Sequence, residues 1–202
     1  MSVQDAFCDI YRRGLWGSGS GLGSDEAYAK VYSDFVRCFA TKRGIKRIVD
    51  IGCGDFRVGS QIANGPFEYI GLDVVPELIA HHNHRFAGEH TTFAVLDATV
   101  QAPPPADLCL IRQVLQHLSN SEIGRVLGNC SDYPFVLITE HVPVGPDVVP
   151  NKDKPHGPDT RVYDNSGVFV DQPPFSKNVE TLLEVPYSRH EVLRTVLIQR
   201  GM

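Results

Sequence analysis

IVDIGCGDFRVGS (residues 48–60) joins a short apolar run to an acid, Asp50, and then to two glycines, Gly52 and Gly54, on either side of Cys53. A run of that kind reads as a buried strand. A chain that turns so sharply after a strand brings its backbone close to whatever lies at the strand's carboxyl end. In open α/β sheets, ligands bind beyond those ends, where the strand order reverses. The stretch therefore predicts a sheet with a ligand cradle at its first turn.

Outward from this turn the same style repeats. RIVDI (47–51), EYIGLD (68–73), TFAVLD (92–97), DLCLI (107–111) and PFVLIT (134–139) are nearly all apolar, the pattern of parallel strands covered on both faces. Helix candidates occupy 57–63, 76–86 and 113–128. Ahead of them, Ser24 is suited to cap a helix opening with the acids Asp25 and Glu26. That helix carries Ala27, Tyr28, Val31, Tyr32, Phe35, Val36 and Phe39 at helical spacing as far as Lys42. VETLLEVPY (179–187) and EVLRTVLIQR (191–200) read as a terminal strand pair. The alternation predicts a doubly wound α/β fold: a mostly parallel, seven-stranded sheet ending in a C-terminal antiparallel hairpin. The expected organisation is a single domain over 1–202. It comprises an N-terminal helical cap or flap (1–44), a core (45–140), a loop or lid (141–178) and the strand pair (179–202). Residues 143–178 are rich in Pro, Gly, Asp and Asn, and too long for a passive connection.

Composition narrows the partners. The chain has 202 residues, 42% of them hydrophobic, enough for one good core. Its net charge of -5 argues against a surface built to wrap a polyanion, so no nucleic-acid partner is expected. Five cysteines with no C-x-x-C pair suit reduced thiols in a cytoplasmic protein. The opening MSVQDAFCDIYRRG is charged where a signal peptide is apolar, and no run reaches membrane-spanning length. Oligomeric state is left open.

Two cofactors use a glycine corner of this type. A nicotinamide fingerprint, G-x-G-x-x-G, would place its third glycine at position 57, which is Arg57. S-adenosylmethionine has no pyrophosphate to lay on a helix N-terminus and does not demand that glycine. Asp73 ends the second apolar run, where a carboxylate can accept from both ribose hydroxyls. Asp97 ends the third, where one can accept from an adenine amino group. Each acid alone is explained by capping the turn that follows; three in series at one edge are far more specific.

DIGCGD, GLDVV, LDAT and DLCLIRQVLQHLS together resemble the motif series of class I S-adenosylmethionine-dependent methyltransferases, over residues 45–140. The resemblance implies S-adenosyl-L-methionine as cofactor. Asp50 and the turn Gly52, Cys53, Gly54 would hold its methionine moiety, Asp73 with Val74 its ribose, and Asp97 with Ala98 its adenine. Arg112 and Gln113 leave the fourth strand at the cofactor edge. Where the family often has a third glycine this chain has Phe56, which suggests a subfamily with an aromatic residue at the turn. RRGLWGSGSGLGS (12–24) is similar to a W-x-x-x-S-G-x-G-S lead-in of small bacterial methyltransferases. That segment reads either as a flap, with Ser18 or Ser20 donating to the cofactor carboxylate and Trp16 packing above, or as a loose linker.

A sulfonium methyl group is already activated, so the protein mainly aligns the acceptor and excludes water. A base is needed for a hydroxyl acceptor or a protonated amine. His117 is the candidate base, following Gln113 at helical spacing, or else a structural histidine beside the pocket. Glu140 and His141 end the fifth apolar run and could orient a hydroxyl. HHNHRF (81–86) offers histidines on a helix but no second ligand pair, so no metal is expected. NKDKPHGPD (151–159) is a substrate lid or a solvated loop. The expected function is O-methylation of a small-molecule or sugar-like acceptor. The alternatives are N-methylation of a small amine, nucleic acid or protein, and a non-catalytic relative of the fold. Against base N-methylation, the place for an Asn/Asp-Pro-Pro-Tyr motif reads IRQVLQ.

Overall fold

The computed structural model describes residues 1–17, 19–21 and 26–201. In chain order the elements are α1 (Val3–Arg12), α2 (Glu26–Arg43), β1 (Arg47–Ile51), α3 (Arg57–Ala63), β2 (Glu68–Asp73), α4 (Pro76–Arg85) and β3 (Thr91–Val95). They continue with β4 (Leu108–Arg112), a 3-10 turn (Leu115–His117), α5 (Asn120–Asn129), β5 (Phe135–Pro143), a second 3-10 turn (Arg161–Asp164), β6 (Glu180–Ser188) and β7 (Glu191–Gln199). The strands form one seven-stranded sheet in the order β3-β2-β1-β4-β5-β7-β6. β1 to β5 pair in parallel, and β7 runs antiparallel between β5 and β6. The expected doubly wound sheet with its C-terminal hairpin is what the chain forms.

Strand alternation splits the core in two. On one face Val49, Ile51, Cys109, Ile111, Val136 and Ile138 pack with Phe7 and Ile10 of α1 and Ile123 and Val126 of α5. On the other, Ile48, Leu108, Leu110 and Leu137 pack with Val36 and Ala40 of α2 and Ile62 of α3. Fully burying each large aliphatic side chain contributes about 1.5–3 kcal/mol.

Three expectations change. The candidate helix 113–128 is not continuous. Gln113 takes φ +54°, Leu118 is extended, and α5 starts afresh behind Ser119, whose hydroxyl and the Glu122 carboxylate form a reciprocal capping box. His117 therefore does not sit at helical spacing from Gln113. The third strand ends at Val95, so Asp97 lies in the turn beyond it. β3 is a sheet edge, exposing Thr92, Ala94 and Val95, and is not covered on both faces. The expected cap Ser24 and the first-turn acid Asp25 lie outside the described residues.

Residues 144–179, between β5 and β6, form a strap held by hydrogen bonds of its own. Asn151, 6% exposed and at φ +55°, ties it internally: Nδ2 donates to the carbonyls of Phe169 (2.8 Å) and Pro173 (2.9 Å), and Oδ1 accepts from Phe169 N (2.8 Å). His156 pins the strap to α5 through Glu122 at 2.8 Å.

Candidate active site

A cleft enclosing about 1010 Å³, its open mouth included, lies at the carboxyl edge where β1 and β4 part. Its walls come from the turn Asp50–Asp55, from Asp73 and Val74, from Leu96–Thr99, from Arg112–Val114 with His117, and from Phe7, Tyr11, Trp16 and Ser20. Asp50, Gly52, Cys53, Gly54, Asp73, Val74, Asp97, Ala98, Arg112, Gln113, His117, Trp16 and Ser20 are thus brought together. Ser18 lies outside the described residues.

The glycine turn is positioned from both sides. Gly52 (φ +72°) and Gly54 (φ +54°) hold conformations that favour glycine. A Cβ at Gly52 would strike the Val114 side chain, and one at Gly54 would strike the Ser20 hydroxyl. The amides of Gly52 and Cys53 donate to Leu72 O at 2.7 and 3.0 Å. Gly54 N donates to Asp73 Oδ2 at 3.0 Å, and Val75 N to Asp73 Oδ1 at 3.0 Å. The Asp73 oxygens keep lone-pair capacity beyond these backbone bonds. Burial raises the Asp73 pKa, offset in part by those amides. Burial pushes Asp50 up to about 6, opposed by the Tyr69 hydroxyl that donates to it. The Cys53 thiol is also pushed up by burial, which makes it an inert packing group. Phe56 takes φ +64°, the conformation a third glycine would adopt, and its ring packs against Tyr69, His82, Phe86 and Phe93.

Asp97 in part caps its own turn: Oδ1 accepts from Thr99 N (2.8 Å) and Thr99 Oγ1 (2.7 Å). At the end of β4, the left-handed Gln113 is held by a bond from its amide to Thr139 O at 2.7 Å. Its side-chain Nε2 is buried and makes no hydrogen bond to a described residue. The Arg112 guanidinium lies 5.1 Å from the Tyr32 ring centre.

His117 faces the cleft from the 3-10 turn, 8% exposed, its ring 4.7 Å from Trp16 and 6.3 Å from Phe7. Burial lowers its pKa to about 4, and the Lys154 cation adds to the effect. The lead-in and the strap meet above it. Trp16 Nε1 donates to Pro158 O at 3.0 Å, and Gly157 N donates to His117 O at 3.0 Å. Ser20 is tied to the glycine turn: its Oγ accepts from Asp55 N (2.8 Å) and its amide donates to Asp55 Oδ2 (3.0 Å).

Glu140 and His141 do not line the cleft. As neighbours on a strand they point to opposite faces of the sheet, so they cannot orient one hydroxyl together. The Glu140 oxygens accept from Leu115 N (3.0 Å) and Gln116 N (3.1 Å). His141 pairs with Glu191 at 3.2 Å and packs on Tyr187 with ring centres 4.2 Å apart. His81 and His84 are exposed, whereas His82 is 1% exposed and reaches the glycine turn. Among the described residues no group of three His, Cys, Asp or Glu side chains could hold a metal ion. Nor is any helix among them long and apolar enough to cross a membrane.

Sequence reasoning passed over Phe7, Tyr11, Tyr32 and Val114 as wall residues. For Phe7 the signal was present: Val3, Ala6, Phe7 and Ile10, all buried, recur at helical spacing.

Residues 49–133 match the family model described as a methyltransferase domain. In this match and in its fold the chain resembles the class I S-adenosylmethionine-dependent methyltransferases. No curated protein sequence matches the chain. Among solved structures it is similar to the N-terminal domain of EvdMO1, crystallised in the presence of SAH and D-fucose: 15% identity, 95% of this chain and 96% of that one, TM-score 0.59. It is likewise similar to magnesium protoporphyrin IX methyltransferase of Synechocystis PCC 6803 with bound SAH (14%, 98% of each chain, TM-score 0.58). Human N-acetylserotonin methyltransferase in complex with SAM is a third (14%, 100% of this chain and 61% of that one, TM-score 0.58). These are likenesses of fold.

Proposed function

We propose that the protein transfers a methyl group from S-adenosylmethionine to a hydroxyl of a small or sugar-like molecule, in the cytoplasm, where its five free cysteines stay reduced. The convergence of Asp50, the Gly52–Gly54 turn, Asp73 and Asp97 on one cleft carries this reading. The cradle fits the cofactor, because Asp73 and Asp97 retain oxygen lone pairs beyond their internal bonds and the turn leaves no room for side chains. Asp73 would hold the ribose hydroxyls, Asp97 the adenine amino group, and the glycine turn with Asp50 the methionine end. When bound, S-adenosylmethionine supplies a methyl group activated by its sulfonium. Trp16 and the 157–158 strap exclude water above the cleft. His117, held neutral by burial, is in the form that accepts the hydroxyl proton; the same burial weakens it as a base, so its contribution lies at the low end of roughly 10²–10⁴-fold. A fold neighbour crystallised with D-fucose present is in keeping with a sugar-like acceptor.

The lowered pKa of His117 favours one second reading, transfer to a small amine that arrives unprotonated and needs no base. Incubation with methyl-labelled S-adenosylmethionine and fractionated small metabolites, followed by mass analysis, separates the two. Label on oxygen supports the first reading and label on nitrogen the second. Transfer only to protein or RNA fractions overturns both.

A further inference from the structure

We propose that Arg161 is a positioning residue. From the strap, its guanidinium sets the 3-10 turn Leu115–His117, and through that turn the wall of the cleft. The inference rests on the reading of the cleft as the methyl-transfer site.

The turn is too short to satisfy its own backbone, and polar groups left unpaired in a dry interior are costly. Its amides at Leu115 and Gln116 go to Glu140. Two of its carbonyls, and that of Leu118 just past it, go to Arg161: Nη1 donates to Leu115 O (3.3 Å) and Gln116 O (3.0 Å), and Nη2 to Leu118 O (2.6 Å). Nη2 also donates to Asn120 Oδ1 (3.2 Å), and Nε to Lys152 O (2.9 Å). A guanidinium has five N–H donors, and all five are spent. At 2% exposure the side chain is closed to any ligand, so its effect on the site passes through the turn.

What the turn presents is functional. Val114, His117 and Leu118 line the cleft, Val114 closes on Gly52, and Trp16 packs on His117. Arg161 and Glu140 grip the same two residues, Leu115 and Gln116, one by their carbonyls and the other by their amides. A lysine keeps the charge but offers three donors from a single point and cannot span three carbonyls. Misplacement of a wall by about 1 Å is enough to cost a transfer site roughly 10²-fold.

The test compares Arg161→Lys with Asn151→Gly, which unties the strap elsewhere while keeping the left-handed backbone. Each is measured for S-adenosylhomocysteine affinity by calorimetry, for Trp16 fluorescence (the chain has one tryptophan) and for far-UV circular dichroism. The expected result is a folded Arg161→Lys with affinity reduced at least tenfold and Trp16 emission shifted to the red. Asn151→Gly should melt earlier but bind within about threefold of wild type. Equal losses in both variants, or unchanged affinity and emission in a folded Arg161→Lys, overturn the proposal. If Arg161→Lys does not fold, Glu140→Gln decides in its place by the same criteria, since its amide opposes one of the turn's N–H groups. If wild type fails to bind S-adenosylhomocysteine, the reading of the cleft falls. The ligand-free Trp16 emission of the variants then still decides the role of Arg161.

Discussion

His82 and Gly54 are joined by a 2.7 Å hydrogen bond from the imidazole Nε2 to the glycine carbonyl. A carbonyl can only accept, so the proton of His82 sits on Nε2, and its buried Nδ1 makes no hydrogen bond to a described residue. The amide of the same glycine donates to Asp73, so Gly54 is held by α4 on one side and by β2 on the other. His82→Ala removes one grip and opens a gap among Phe56, Phe86 and Phe93. Its expected effect is a loss of about 1–3 kcal/mol of stability and a several-fold loss of S-adenosylhomocysteine affinity, read by thermal melting and calorimetry. Unchanged affinity would mean that the turn holds its shape without the histidine.

Asp73→Asn should lower S-adenosylmethionine affinity at least tenfold. A hydrogen bond to a charged acceptor contributes about 1.5–3 kcal/mol, and two are expected at the ribose. Because the same carboxylate takes Gly54 N and Val75 N, the variant should also melt earlier. A folded variant that titrates like wild type would dislodge the ribose from this site.

Phe56→Gly sets backbone strain against packing. A left-handed conformation costs a non-glycine residue about 1–2 kcal/mol, whereas stripping a buried phenylalanine to a small residue costs about 3–5 kcal/mol. Phe56 is 4% exposed among four aromatic rings, so packing wins, and the variant should be less stable by roughly 2 kcal/mol in denaturant titration. A gain in stability would show that strain dominates.

His117 should leave a signature in the pH dependence of stability. Its folded pKa is depressed to about 4 from an ordinary 6.5, so between those values the unfolded chain holds a proton that the native state does not. Stability from this group is present above pH 6.5 and is lost as pH falls towards 4, by up to roughly 3 kcal/mol. Asp50 and Glu140, whose pKa values are raised by burial to about 6 and about 8, work in the opposite sense as pH rises. The measurement is therefore the difference between wild type and His117→Gln across pH 4 to 7. A difference that stays flat would mean that the ring is hydrated and titrates normally.

What could be read in the sequence was whatever depends on local period and turn chemistry. The five apolar runs, the terminal hairpin and the glycine corner are all of that kind, and Asp50 and Asp73 lie at strand ends, with Asp97 in the turn just past one. Pairings at long range could not be read. Glu140 looked catalytic because it follows an apolar run, but its partners Leu115 and Gln116 are amides brought near by β4 and β5 lying side by side. His82 is buried although its neighbours His81 and His84 are exposed. The helix face that buries it is set by Phe56 and Phe93, which sequence spacing does not connect to it. The break after Gln113 was legible in Ser119-x-x-Glu122, a capping box inside what otherwise passes for one helix.

The strand that follows β6 in the chain lies inside it in the sheet, because β7 takes the place beside β5. During synthesis, β5 is complete long before β7 emerges, and at ribosomal speeds of about 5–20 residues per second its outer edge stays bare for seconds. β6 leaves the ribosome in that interval with no neighbour to pair with. A bare edge is a template for any other extended chain. The hazard of aggregation for this protein is therefore greatest while it is being made, and it closes when Leu193, Thr195 and Leu197 slot in against His141, Thr139 and Leu137.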